Sequence, residues 1–143
     1  MKKLLISDSN NITPLSFELR DILQLLEDGE KFSWLLEKMY INYLIPDVTH
    51  TEPSKSDSDL LELIIDSEKY EIKWKELIRI ANFHIQIING KITGNCGEEL
   101  ITITAFDSSY WIIETNLDSL INKIKGRFES VRDISNESIN YGN

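Results

Sequence analysis

Along this chain the apolar positions switch repeatedly between helical spacing and strict alternation. Lys3 to Ser7 is a short first strand. Thr13-Pro14 then starts a helix, with threonine as cap and proline in the first turn. Leu15, Leu19, Ile22, Leu23 and Leu26 share one face of it, and Gly29 is placed to end it in the left-handed conformation. Phe32, Leu35, Leu36, Met39, Tyr40 and Tyr43 continue at helical spacing up to Pro46. A turn at Asp28-Gly29-Glu30 makes these two helices a corner or hairpin.

Residues 46–59 read as a loop, with two prolines, three serines and Val48 as the one aliphatic residue. Leu61, Leu63 and Ile65, then Tyr70, Ile72 and Trp74, occupy alternate positions. They predict a β-hairpin turned at Ser67-Glu68-Lys69, although a helix over 59–66 also fits. Leu77, Ile78, Ala81, Ile85 and Ile88 favour a helix over 75–88. The competing pattern makes Phe83, Ile85 and Ile87 a strand that turns at Asn89-Gly90 and pairs with Ile92. Leu100–Phe106 and Tyr110–Thr115 are β-branched and aromatic, with Asp107-Ser108-Ser109 between them, as in a hairpin or a single bulged strand. Leu117, Leu120, Ile121, Ile124 and Phe128 line a last helix begun at Asn116 or Asp118. Its acid at the start and Lys123, Lys125 and Arg127 towards the end match the helix dipole. Val131 to Ile134 is an edge strand. The whole is an α+β fold, one acidic domain over residues 1–143, with an antiparallel sheet and several helices packed on it.

Composition narrows the setting. One cysteine, Cys96, allows no internal disulfide. Lys2-Lys3 is followed by only Leu4, Leu5 and Ile6, too few for a signal segment. No run approaches the ~20 apolar residues of a membrane span. A cytoplasmic, soluble protein is expected. The formal net charge of −9 opposes binding to nucleic acid and to anionic membranes. It also sets aside a helix-turn-helix DNA reader, since Glu27, Asp28, Glu30 and Glu37 surround that turn.

Reactive chemistry finds little support in the residue order. Cys96 sits in Gly94-Asn95-Cys96-Gly97 with nothing adjacent to acidify its thiol. The two histidines, His50 in the loop and His84 in the helical run, have no visible partner for general-base work. Asp57, Ser58, Asp59 and Glu62 cluster oxygen donors but lack the glycine and terminal glutamate of a calcium loop. Closely spaced Cys and His pairs for zinc are absent, and Gly90 to Gly94 is no phosphate loop. No catalytic residue, metal ligand or cofactor is assigned, and a non-enzyme is expected.

Charge is distributed unevenly. Residues 47–71 hold eight acids against two lysines, a balance of −6 out of the total of −9. Such a segment focuses a negative potential that speeds encounter with a cationic surface. Trp34, Trp74 and Trp111 fit the core, which leaves Tyr110 as an exposed aromatic anchor.

In size, acidity, low cysteine content and concentrated acidic stretch, the chain resembles the bacterial immunity proteins that neutralise polymorphic or contact-dependent toxins. The resemblance implies tight binding to a cognate, basic and nuclease-like toxin domain. The binding residues would be Asp57, Asp59, Glu62, Asp66 and Glu68, with Tyr110 as anchor. Two other readings stay open. One is a small-ligand-binding or enzymatic domain whose pocket, between sheet and helices, gathers His84, Cys96 or Glu98. The other is an adaptor subunit using an apolar face of the second helix.

Overall fold

Strands β1 (Lys2–Ser7), β2 (Ser33–Tyr43), β3 (Lys69–Ile72), β4 (Ile85–Cys96), β5 (Glu99–Phe106), β6 (Tyr110–Thr115) and β7 (Ser130–Asp133) form one antiparallel sheet. Their order is β3-β2-β4-β5-β6-β1-β7. The computed structural model describes residues 1–7, 18–107 and 109–136. Four helices complete it: α1 (Leu19–Leu23), α2 (Lys55–Asp66), α3 (Trp74–Ala81) and α4 (Asp118–Arg127). The buried apolar residues of all four helices join one cluster with one face of the sheet, so the domain has two layers. The α+β architecture read from the sequence is therefore observed. No helix among the described residues is long and apolar enough to cross a membrane.

Register explains the core. Leu36, Ile92, Ile103, Ile113 and Leu4 stand side by side across five neighbouring strands. Each is 2% exposed or less, and burying such a side chain stabilises by about 1.5–3 kcal/mol. The next row runs Ile72, Trp34, Gly94, Ile101 and Thr115. Trp34 lies over Gly94, where an added Cβ would come within 2.7 Å of the ring. Thr115, fully buried, donates its hydroxyl to the Leu100 carbonyl at 2.7 Å and accepts from the Leu117 amide at 3.1 Å. That second bond steadies the entry into α4, whose buried Leu120, Ile121 and Ile124 are the stripe expected from the sequence. The β5–β6 hairpin and β7 as an edge strand likewise agree with it.

Three expected elements are corrected. Residues 33–43 are a strand, not a second helix. Lys38 adopts φ +51° and its amide bonds the Glu68 carbonyl at 3.0 Å, while the pairing with β4 shifts register there. This bulge moves the buried set from Trp34 and Leu36 to Met39 and Ile41, so a broken alternation imitates helical spacing. Residues 55–66 are helix α2, so the alternative helix over 59–66 is the one observed and the preferred loop and strand are not. Ser54 caps it, accepting from the Asp57 amide at 3.2 Å while the Asp57 carboxylate accepts from the Ser54 amide at 2.8 Å. Only the second arm of the expected hairpin is a strand, and β3 pairs with β2 instead.

The expected helix over 75–88 ends at Ala81, and β4 begins at Ile85. Asn89-Gly90 makes no turn. Gly90 instead carries the strand past the β2 bulge at φ +156°, with Met39 packed where a side chain would project. Gly29 is not a left-handed stop, because Asp28 takes that conformation at φ +53°. Gly29 is buried under the Trp74 ring, which lies 2.4 Å from where its Cβ would be. The Thr13-Pro14 helix start and Leu15 lie outside the described residues, and α1 is described from Leu19.

Candidate functional site

Helix α2 sorts its acids by direction. Leu61 and Ile64 bury against the sheet, and Asp57 shares their side of the helix. Asp57 receives Nε and Nη2 of Arg79, each at 2.8 Å. The Arg79 guanidinium, then the Ser54 amide, hold its carboxyl well below the usual carboxylate range. Asp57 is thus a structural ion-pair partner rather than an open contact.

Asp59, Glu62 and Asp66 face solvent. Steps of three and four place them on one outer stripe of α2, with Leu63, 53% exposed, among them. Glu68, also exposed, follows in the turn before β3, where Glu71 is exposed in its turn. Asp59, Glu62, Asp66 and Glu68 therefore follow one another along α2 and the turn after it, whereas Glu71, next to the buried Ile72, projects from the opposite face of the sheet. Tyr110 is placed elsewhere. Trp111 is buried in the core, so its neighbour Tyr110 projects from the opposite face of the sheet, stacked on Phe106 at 5.3 Å.

A second constellation joins residues distant in sequence. The segment after β2 is stitched to the α3–β4 connection by two backbone bonds, Leu44 amide to His84 carbonyl at 3.0 Å and Thr51 amide to Asn82 carbonyl at 2.9 Å. These bonds lay His50 on His84, with ring centroids 4.3 Å apart and planes at 16°. The His50 side chain is 6% exposed. Its Nδ1 lies 2.6 Å from Asp47 Oδ1, and its Nε2 lies 2.9 Å from both oxygens of Glu18. Burial opposes a charge on His50, yet the hydrogen bonds to Asp47 and Glu18 outweigh it and raise its pKa. The His50 contact, helped by Thr49, draws the Asp47 pKa down to about 2. His84 Nδ1 bonds the Ile45 carbonyl and lies 3.7 Å from Asp47 Oδ2.

These groups border an open cavity of about 370 Å³, whose wall includes Tyr43, Pro46, Val48 and Glu52. Of these, Tyr43 and Val48 are exposed. Cys96 and Glu98 are not gathered here. They lie at the far end of β4 and in the following turn, so the expected grouping with His84 is not formed. The pairing of His50 with His84 had no local signal, because 34 positions separate them.

Comparison of the chain with protein-family models, with curated proteins and with solved structures returned no match.

Proposed function

We propose that this chain is an immunity-type binding protein, which neutralises a basic toxin domain by docking the acidic outer face of α2 on it. The observation that carries this reading is the stripe of Asp59, Glu62 and Asp66 around the exposed Leu63, on a helix whose inner side is anchored in the core. Such a face supplies like charges that steer a cationic partner and an apolar centre that water can leave. Glu68 extends the charge into the turn before β3. Asp57 drops out of the expected contact set because Arg79 occupies it. Tyr110 drops out because it stands on the other face of the sheet.

The test is co-expression with the product of the adjacent gene, comparing the wild type with Asp59→Asn/Glu62→Gln/Asp66→Asn. The wild type is expected to protect and to form a one-to-one complex whose association slows with added salt. The triple variant is expected to associate about tenfold more slowly and with a flatter salt dependence. No complex with the wild type, or identical kinetics for both proteins, would overturn the reading.

The open cavity beside His50 and His84 favours a second reading, a domain that binds a small ligand there. In that case His50→Ala would abolish function while the triple acidic variant would leave it intact.

A further inference from the structure

We propose that Asp47, His50 and His84 bind a divalent transition-metal ion, with zinc as the best match. This inference does not depend on the docking face of α2. One nitrogen from each imidazole and one carboxylate oxygen lie within 4.8 Å of one another. Two imidazoles and a carboxylate are a donor set that zinc accepts, and three protein ligands leave a fourth position for water or a ligand. The cavity lies along these three side chains, so the fourth position has room.

Neighbouring groups orient the donors. Glu18 engages Nε2 of His50 through both oxygens at 2.9 Å and turns Nδ1 towards Asp47. A carboxylate on the far nitrogen of a ligand histidine fixes the ring and strengthens it as a donor. Nδ1 of His84 donates to the Ile45 carbonyl, which fixes that ring and leaves Nε2 as its lone-pair nitrogen. Nδ1 of His50 and Oδ1 of Asp47 are 2.6 Å apart. At that distance a proton joins the two atoms, and a metal ion binds by displacing it.

Bonds of about 2.0–2.2 Å put donor atoms roughly 3–4 Å apart, so binding moves the Asp47 oxygen away from Nδ1 of His50 and turns the stacked imidazoles to aim at one point. Residues 42–49, which carry Asp47, are all exposed and free of core packing. His50 and His84 keep their places through the backbone bonds of Thr51 and Leu44. The sequence hides such a site, because it has none of the close His and Cys spacing of zinc motifs.

The test uses untagged full-length protein, freed of metal with a chelator and then titrated with zinc chloride. Binding is followed by calorimetry and by the imidazole proton resonances. The chain has only two histidines, so these resonances report the site without any substitution. Saturable one-to-one binding that shifts both imidazoles is expected. His50→Ala and His84→Ala should each weaken binding at least about tenfold, and Glu18→Gln by roughly 10–100-fold. Cobalt(II) in place of zinc should give the visible absorption of a low-coordinate site. Where a variant fails to fold, the wild-type resonances decide. Titration that shifts neither imidazole or only one, or full binding by a folded His50→Ala/His84→Ala protein, would overturn the proposal.

Discussion

Arg79 donates Nε and Nη2 to the two carboxylate oxygens of Asp57 at 2.8 Å each, and so ties α3 to the first turn of α2. The same carboxylate accepts from the Ser54 amide at the helix start. Asp57→Asn weakens both contacts and is expected to cost about 1–3 kcal/mol at neutral pH. The folded-state pKa of Asp57 is depressed. Its contribution is therefore full above the unfolded value of about 3.9, and is lost as pH falls through the lower folded value. Urea midpoints should show the gap between wild type and Asp57→Asn constant from about pH 7 to 5 and closing below about pH 4. A gap that holds in strong acid would mean that the ion pair is not its source.

The three acids of the outer stripe should behave in the opposite way. Asp59, Glu62 and Asp66 are exposed, with their side chains turned from the core. Asp59→Asn, Glu62→Gln and Asp66→Asn are each expected to change stability by no more than about 0.5 kcal/mol. Thermal denaturation of the triple variant checks this. A large loss would show that the stripe is built into the fold, and its use in a binding experiment would then be void.

Two tryptophans depend on two glycines. Trp34 and Trp74 stack at 5.4 Å, and Trp34 donates its indole N–H to the Gly29 carbonyl at 2.9 Å. Gly94→Ala would put a methyl group 2.7 Å from Trp34. Such overpacking costs about 1–3 kcal/mol. The variant should melt earlier and show altered tryptophan emission, because relief of the clash displaces the stacked pair. Unchanged emission and stability together would show that the ring moves aside without loss.

How far these features could be read from the residue order depended on whether the signal was local. Residues 100–134 were legible: Ile101, Ile103 and Ala105 alternate, Trp111 and Ile113 answer them, and Leu120, Ile121 and Ile124 follow at helical steps. From 33 to 43 the bulge at Lys38 broke the alternation, and the break depends on a tertiary bond to Glu68. At 55–66 the run of serines and aspartates resembled a loop. Its Ser54–Asp57 box was nevertheless present, and with Leu61 and Ile64 it could have marked the helix. At Asn89-Gly90 the turn signal was overridden because Met39 needs the space beside a glycine. The acidic stripe was visible as charge, but which acids face solvent was decided by Arg79, 22 positions from Asp57. The histidine pair was invisible for the same reason, since it is made by backbone bonds between remote segments.

The two sides of the sheet give a last, discriminating prediction. Leu63 stands exposed within the acidic stripe of α2, whereas Tyr110 projects from the sheet face opposite the helices. If the partner docks on α2, Leu63→Ala should weaken the complex by about tenfold, some 1.4 kcal/mol, with no loss of stability. Tyr110→Ala should do the reverse. Losing its stack on Phe106 should cost about 0.5–1.5 kcal/mol of stability, while partner association stays at the wild-type rate. Measuring melting and association for both variants separates folding effects from binding effects within one experiment. Weakened binding by Tyr110→Ala alongside normal binding by Leu63→Ala would move the interface to the other side of the sheet.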